Sequence, residues 1–324
     1  MVLVRVSAPS HVHSGNMDLH GGLGRLYGTV GFTLEHPRLE LEASEAERGV
    51  VEARGARAGE AEAYARRALE AWGCRGVGVS IRVLREIPAH VGLGSTTALA
   101  LASGYAALTI CGVRRFSVER LAEALGRGVP SGLGVYSFTY GGFLVDGGFR
   151  PGERRLPPLI FRAHVPRSVA IVVALPSKPI PRVLEVKRRE EEVLQSLPRM
   201  SESMAERASR LILMGVMPAA AEGRWSDAAR LLYEFNKMLG EYWARAQGSI
   251  YCCREVEELV REALEAGAWG ALQSSWGPTV YALTDYRKAE SVAEKLRRRV
   301  EEIGGGSVWV TRVDNQGARI TVEG

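Results

Sequence analysis

Residues 88–98 read Pro88-Ala-His-Val-Gly92-Leu93-Gly94-Ser95-Thr96-Thr97-Ala98, and the rest of the chain is arranged around them. An alternating apolar run at 77–84 precedes them and predicts a strand, while good helix formers fill 98–108. Glycines let the backbone approach a ligand closely, and free N–H groups at a helix start attract anions. We therefore predict a phosphate-binding loop made of Gly92, Leu93, Gly94, Ser95, Thr96 and Thr97.

The same stretch also fits a glycine-rich turn that only caps a helix, with Ser95 or Thr96 as the capping residue. Three hydroxyl side chains stand in a row directly after Gly-Leu-Gly. That row favours the phosphate site over the purely structural alternative.

The composition is that of an ordinary globular protein, with 324 residues, 46% hydrophobic and 24% charged, and the length suits two domains. The chain shows no apolar run long enough to span a bilayer and no leader, so we expect a cytoplasmic location. The net charge of +5 is mild, and its arginines are mixed with glutamates. We expect small-molecule substrates, anionic ones in particular, with neither nucleic acid nor membrane as a partner.

The four cysteines, Cys74, Cys111, Cys252 and Cys253, lack metal-ligand spacing, and adjacent cysteines rarely bond each other. We expect free thiols.

The first half alternates short strands, helices and glycine loops. Strands are predicted at 2–7, 29–34, 39–43 and 135–138, with a turn at Glu35-His-Pro37 between the second and the third. Helices are predicted at 57–73 and at 117–125, the latter capped by Ser117, and a second glycine loop covers 126–134.

The second half begins after the stretch 149–167, which predicts a boundary between domains at 1–165 and 166–324. Strands are predicted at 168–175, 279–283 and 307–312, and helices at 185–246 (broken near 215–218), 254–266 and 286–303. A third glycine and hydroxyl loop spans Gly270–Ala282.

Three histidines, His11, His13 and His20, crowd the segment 8–25. Zinc is disfavoured because the His-x-His pair has no further ligand at a metal spacing. The segment predicts a polar substrate loop, and the open alternative is a hairpin connection whose histidines bond to backbone carbonyls.

The three loops resemble, in this order, the motifs of the GHMP kinase superfamily. The phosphate-binding motif matches residues 88–98 with one Ser-to-Thr change, Ala8-Pro9 stands where the first motif begins, and 270–282 is similar to the third. The resemblance covers almost the whole chain. It implies an α+β fold of two domains, the first like ribosomal protein S5 domain 2 and the second ferredoxin-like, with an ATP-binding architecture.

The kinase chemistry is missing from the pattern. Mevalonate-kinase-like members carry Gly-x-Pro-Ser-Gly-Ile-Asp, whose aspartate acts as a base, but here the string ends on Gly134 in the place of that aspartate. His11 stands near the place of the first-motif lysine. Glycine has no proton acceptor, so this route of general-base catalysis is removed.

A closer resemblance explains both departures. The strings Gly141-Gly-Phe-x-Val-Asp-Gly-Gly148 and Gln273-Ser-Ser-Trp-Gly-Pro-Thr-Val280 are similar to the archaeal beta-ribofuranosylaminobenzene 5'-phosphate synthases of methanopterin biosynthesis. The resemblance implies phosphoribosyl transfer from phosphoribosyl pyrophosphate to 4-aminobenzoate (or 4-hydroxybenzoate), with release of carbon dioxide and pyrophosphate. The chain departs from that family at His11 and Pro130, where arginines are usual.

The resemblance also implies roles for residues. The expected catalytic residues are Asp18, Arg25 and His13. Asp18 or Asp146 is expected to stabilise the ribosyl carbon, and Arg25 or Arg127 to pair with the carboxylate of the aromatic acid. The expected substrate contacts are Arg127, Gly128, Ser131, Gly132, Asp146, Ser274, Ser275 and Gly277. Mg²⁺ is the expected cofactor, with ligands unassigned, and the fold alone suggests a homodimer. For Asp146 a structural role in an Asp-Gly hairpin turn is the alternative.

Two other functions stay open at this point. One is an ATP-dependent small-molecule kinase with a displaced base, for which Asp18 is the candidate. The other is a ligand-binding relative without catalytic activity.

Overall fold

Two mainly antiparallel sheets with helices packed against them form the computed structural model, which describes residues 2–153, 155–177, 192 and 197–324. The strands of the first sheet are β1 (Leu3–Asp18), β2 (Tyr27–Glu45), β3 (Val51–Gly55), β4 (Val79–Arg85), β5 (Phe143–Asp146), β6 (Leu159–Ala163) and β11 (Arg319–Glu323). Their order is β11-β1-β2-β4-β3, with β5 paired to β2 and β6 to β5. The helices of this half are α1 (Ala58–Ala71), α2 (Ser95–Ile110), α3 (Val118–Ala124) and α4 (Leu133–Thr139).

The second sheet has the order β10-β7-β9-β8. Its strands are β7 (Val169–Pro176), β8 (Gly270–Gln273), β9 (Val280–Asp285) and β10 (Gly306–Thr311). The helices of this half are α5 (Glu202–Leu211), a π-helical turn (Ile212–Val216), α6 (Met217–Ala221), α7 (Trp225–Gln247), α8 (Arg254–Glu265) and α9 (Tyr286–Glu302). The two-sheet α+β arrangement confirms the predicted fold class.

Helix α2 lies at the centre of the first half. Twelve of its sixteen residues are buried, so it is apolar all round, as a helix enclosed on every side must be. The helix begins after Gly94, whose φ of 71° is left-handed, and no side chain caps it. The predicted cap by Ser95 or Thr96 is therefore wrong, and the amides of the first turn remain without a side-chain acceptor. The cap by Ser117 is confirmed, since its hydroxyl accepts from the Arg120 N–H at 3.1 Å.

Strand β2 continues past the predicted turn at Glu35-His-Pro37, but these three residues have no partner in β1. Pro9 pairs with Arg38 and Ser10 with Leu34, so residues 35–37 form a bulge in β2. Proline lacks the amide that a regular ladder needs, and the bulge accommodates it without ending the strand.

Residues 135–138 are helical, in α4, and the predicted strand there is wrong. The Gly132 amide at the start of α4 donates to the Asp146 carboxylate at 2.9 Å, so a tertiary contact fixes the chain before the helix. Local strand propensity is weaker than such contacts.

The third loop is shorter than predicted, because Gly270–Gln273 form β8 and only 274–279 connect it to β9. Strand β11 was not predicted, and it pairs with β1 although the sequence assigned it to the second domain. Part of the long helical region predicted from 185 lies outside the described residues.

Cys74 and Cys111 form a disulfide that joins the end of α1 to the end of α2, so the expectation of four free thiols is wrong. Cys252 and Cys253 are free. Spacing could not predict the bond, because it depends on how the two helices pack. Within the described residues, no helix is long and apolar enough to cross a membrane.

Candidate active site

A cleft of about 290 Å³ opens between the two halves of the chain. One wall comes from β1, the start of α2 and the loop before α4, and the other from α7 and the β8–β9 connection. The lining residues of the first wall are His11, His13, Gly15, Asn16, Tyr27, Thr97, Arg127, Gly128, Val129, Pro130, Ser131 and Gly134. Those of the second wall are Asn236, Leu239, Gly240, Trp243, Gln247, Ile250, Gln273, Ser275 and Trp276.

The predicted phosphate loop reaches this cleft through Thr97 and otherwise lies beside it. An arginine that the sequence analysis did not single out holds its hydroxyls: Arg57 donates to Ser95 Oγ at 3.2 Å and to Thr96 Oγ1 at 3.1 Å. The same guanidinium binds both carboxylate oxygens of Glu60 at 2.7 Å. The start of α2 thus combines uncapped helix amides with an adjacent cation, and both favour an anion.

Arg127 brings positive charge to the cleft itself. Its guanidinium donates to Thr97 Oγ1 from Nε at 3.3 Å and from Nη2 at 3.1 Å. Among the described lining residues there is no aspartate or glutamate, so Arg127 faces the cleft without an acidic neighbour in that lining. Such a guanidinium can bind a carboxylate or a phosphate of a ligand.

His11 and Gly134, the two positions that depart from the kinase pattern, are in contact. A Cβ at Gly134 would stand 3.0 Å from His11 Cε1, and a Cβ at Gly94 would overlap the same ring. The imidazole therefore fills the space between the phosphate loop and α4. Burial lowers the pKa of His11 to about 3, helped by the neighbouring His13 and Arg127, so the ring is neutral at pH 7.

His13 lies beside the same wall and is also neutral. Burial lowers its pKa to about 4, against the opposing effect of a hydrogen bond with Asn16. Its backbone N–H donates to Ser274 Oγ at 3.0 Å, and that hydroxyl donates to the Gly92 carbonyl at 2.6 Å. The fully buried Ser274 thus ties β1, the phosphate loop and the third loop together, which is a positioning task.

Asp146 is buried beneath this wall. Its carboxylate accepts from the amides of Thr29 at 3.0 Å, Gly132 at 2.9 Å and Gly148 at 2.9 Å. Burial raises the pKa of Asp146, and these three donors oppose the rise. The group joins β2, α4 and its own hairpin, which is the structural alternative weighed for it from the sequence.

Asp18 and Arg25 lie at the β1–β2 connection and do not line the cleft. The Asp18 carboxylate accepts from the amides of His20 at 2.8 Å and Gly21 at 2.7 Å. Arg25 donates to the carbonyls of Gly147 and Gly148 at 2.8 and 2.9 Å. Both side chains bond to backbone in this structure, and their catalytic roles stay predictions.

Of the other residues predicted to contact the substrate, some line the cleft and some do not. Gly128, Ser131 and Ser275 line the cleft, whereas Gly132, Ser274 and Gly277 do not. A Cβ at Gly277 would stand 2.7 Å from Cys252 Sγ, so that glycine is required for packing.

The second wall contains residues that the sequence analysis missed, foremost Trp243 and the amide side chains of Asn236 and Gln247. They lie on the long helix α7, more than a hundred residues from the phosphate loop. Apart from the 3.6-residue periodicity of the helix, no local signal marks them, and that periodicity also fits a buried core.

The described lining of the cleft contains no carboxylate that could bind the expected Mg²⁺. Mg²⁺ is usually held by one or two carboxylates together with substrate phosphates. The described cleft lining supplies none, and the hydroxyls of Ser95, Thr96 and Thr97 accept from arginines, which disfavours a cation beside them. The described lining of the cleft therefore does not fit a resident Mg²⁺.

Comparison with known proteins gives two family matches: GHMP kinases N terminal domain at residues 60–142 and GHMP kinases C terminal at residues 216–302. The chain is 34% identical, over 97% of either chain, to a beta-ribofuranosylphenol 5'-phosphate synthase of Methanothermobacter thermautotrophicus. It is 33% identical to a protein of the same name from Archaeoglobus fulgidus, over 99% of this chain and 100% of the other. A homoserine kinase of Pyrococcus abyssi is 26% identical over 72% of this chain and 73% of its own.

Solved structures share the fold. A homoserine kinase from Cytophaga hutchinsonii superposes with a TM-score of 0.68 at 19% identity, covering 98% of this chain and 97% of the other. An L. major mevalonate kinase in complex with R-mevalonate gives 0.67 at 15% identity, with 96% of either chain covered.

Proposed function

Since this chain belongs to the GHMP kinase family and aligns along nearly its whole length with beta-ribofuranosylphenol 5'-phosphate synthases, we propose that it is a pentosyltransferase of that synthase type. In the full proposal, it transfers the phosphoribosyl group of phosphoribosyl pyrophosphate to 4-hydroxybenzoate, or to 4-aminobenzoate, and releases carbon dioxide and pyrophosphate. The reaction would serve methanopterin biosynthesis.

The bonds balance without any external reagent. A bond forms between C1' of the ribose and the ring carbon that bears the carboxylate, while the bond from C1' to the pyrophosphate oxygen breaks. The ring carbon then loses its carboxylate as carbon dioxide, and the electron pair of that bond restores the aromatic ring. No proton has to be removed from either substrate.

This reaction needs no proton acceptor, and that supports the proposal because the described lining of the cleft contains no carboxylate base. A kinase must take a proton from its substrate hydroxyl. Here the position of the kinase aspartate is Gly134, and the neutral His11 ring occupies the space beside it. A decarboxylating transfer needs an anion site and no base, and a described lining with Arg127 and without a carboxylate supports it.

The chain's own residues supply the anion sites. The amides at the start of α2, supported by Arg57, neutralise the charge that grows on the departing pyrophosphate. Arg127 pairs with the carboxylate of the acceptor, since Arg25 is bonded to two backbone carbonyls. Any Mg²⁺ enters bound to phosphoribosyl pyrophosphate, because the described lining of the cleft offers no carboxylate ligand for a resident ion.

The kinase alternative would need a displaced base. Its candidate, Asp18, accepts two backbone amides and lies outside the lining of the cleft. Among the residues that the structure describes, nothing else favours that alternative.

The test is an incubation with phosphoribosyl pyrophosphate, Mg²⁺ and 4-hydroxybenzoate labelled in its carboxyl group, with 4-aminobenzoate in parallel. We expect carbon dioxide and pyrophosphate in equal amounts, and none without the acceptor. An Arg127→Ala variant should weaken acceptor use far more than binding of phosphoribosyl pyrophosphate. Phosphorylation of a small alcohol by ATP, with no carbon dioxide, would overturn the proposal.

A further inference from the structure

The second wall of the cleft contains an aromatic corner formed by Trp243 of α7 and Trp276 of the third loop. Their ring centroids lie 4.7 Å apart and their planes meet at 65°. Leu239 and Ile250 extend the same apolar surface. Two aromatic faces at a steep angle can contact a flat ring on its face and on its edge at once.

The polar side chains around this corner are used within the protein. Asn236 donates to the carbonyls of Ser14 at 2.8 Å and Gln273 at 3.1 Å, and its oxygen accepts the Gln273 N–H at 3.2 Å. The Gln273 side chain donates to Gln247 at 3.2 Å and accepts from the Cys252 amide at 2.7 Å. Gln247 donates to the Ile250 carbonyl at 2.7 Å.

Because these amide side chains are already bonded within the protein, the corner presents the faces of two tryptophan rings to a ligand and offers it few hydrogen bonds. A hydroxylated sugar or a phosphate would lose its bonds to water there without replacement. The carbon atoms of an aromatic ring would lose nothing of that kind, and the single para-hydroxyl or para-amino group is the one polar group of the acceptor that the corner would desolvate. The charge in the lining is on the opposite wall, at Arg127.

We propose that the Trp243–Trp276 corner is the subsite for the acceptor, an aromatic monocarboxylate whose ring packs in the corner while its carboxylate points across the cleft to Arg127. This inference rests on the proposed function and specifies its second substrate. The carboxylate-bearing carbon then faces the start of α2, where the phosphoribosyl donor is expected.

Binding without turnover tests the subsite. Tryptophan fluorescence is followed while 4-hydroxybenzoate is added to the whole protein, and cyclohexanecarboxylate, which has the charge without the flat ring, serves as the probe control. We expect the aromatic acid to quench the fluorescence saturably, and the aliphatic acid to cause at least fivefold less quenching. The quenching should be lost in Trp243→Ala, retained in part in Trp243→Phe, and unchanged in Trp309→Phe, whose tryptophan lies outside the cleft lining.

The KM values of the two substrates test the subsite separately from the proposed reaction. In Trp243→Ala, KM for the acceptor should rise about tenfold, and KM for phosphoribosyl pyrophosphate should stay within twofold; one aromatic contact accounts for roughly that factor. Circular dichroism checks folding, and Trp243→Phe provides the test if the alanine variant does not fold. Quenching without turnover would support the subsite and refute the function. Turnover with an unchanged acceptor KM, or quenching by ATP in place of the acid, would overturn the subsite.

Discussion

Replacing Arg57 by alanine should impair use of phosphoribosyl pyrophosphate and leave the acceptor site intact. The guanidinium bonds two consecutive hydroxyls at the start of α2, and its side chain is only 12% exposed. A hydrogen bond with one charged partner contributes about 1.5–3 kcal/mol. Both bonds exceed 3 Å, which is longer than strong charge-assisted bonds, so the lower figure applies to each of them.

The two bonds together therefore contribute about 3 kcal/mol to holding the start of α2 in place, which sets an upper limit of about 100-fold on the loss of donor kcat/KM, at a tenfold change for every 1.4 kcal/mol. The ion pair with Glu60 adds little, because that carboxylate is 45% exposed and solvent screens it. We expect kcat/KM for phosphoribosyl pyrophosphate to fall between about 10-fold and about 100-fold. KM for the acceptor should change by less than twofold.

The assay is pyrophosphate release at saturating acceptor, with the donor concentration varied. Arg66→Ala is the matched control, since Arg66 lies on α1, which Arg57 directly precedes, and likewise pairs with a glutamate, Glu62 at 2.9 Å, but does not contact the phosphate loop. Arg57→Lys keeps the positive charge but lacks the planar set of donors of the guanidinium, and we expect an intermediate loss of donor kcat/KM. The reasoning is refuted if Arg57→Ala folds normally and keeps its donor kcat/KM within twofold, or if both substrates are affected equally.

Three further predictions concern other parts of the chain. Gly134→Ala should lower synthase activity because its Cβ would stand 2.9 Å from Thr97 Cγ2 and 3.0 Å from His11 Cε1, and Thr97→Ser combined with His11→Ala in the same chain should restore part of it; no rescue would contradict the steric account. Cys74→Ser should lower the free energy of unfolding by about 4 kcal/mol in denaturant titrations, since the bond closes a loop across 37 residues; an equal midpoint with and without reductant in the unmodified chain would refute this. The pKa values of His11 and His13 lie at about 3 and about 4, below the ordinary 6.5, so the unfolded chain binds protons first as the pH falls. Their contribution to stability is complete above about pH 6.5 and is lost toward pH 4 and 3. Thermal melts should therefore show Tm falling over that window, and less steeply in His11→Asn; identical slopes would contradict it.

The parts of the fold that the sequence predicted are those encoded by contiguous patterns. Helix α2 and the glycine loop before it follow from one eleven-residue motif, and α1 follows from its periodicity. Helix α4 did not follow, because 135–138 favour a strand locally while the Gly132–Asp146 contact favours a helix. Propensity over four residues is too weak to decide between them.

The site was predictable only where its chemistry is local. Both departures at His11 and Gly134 are visible in the sequence, but their contact exists only in the folded chain. Arg57 precedes the phosphate loop by almost forty residues, and Trp243 lies on a helix of the other half, so neither belongs to a motif. Cation and aromatic positions of this kind depend on packing between distant segments.

Strand β11 gives the first sheet a property that depends on the order of synthesis. β1 pairs with β2 along one edge and with β11 along the first five residues of the other edge, with Val4 opposite Val322. The buried Arg38–Asp314 ion pair joins β2 to the turn before β11. A ribosome releases β1 first and its outer partner some three hundred residues later. Until then one edge of β1 has no strand beside it, and an open edge can pair with other chains. We therefore expect a shortened chain that lacks 319–323 to aggregate more readily than the full chain when both are synthesised.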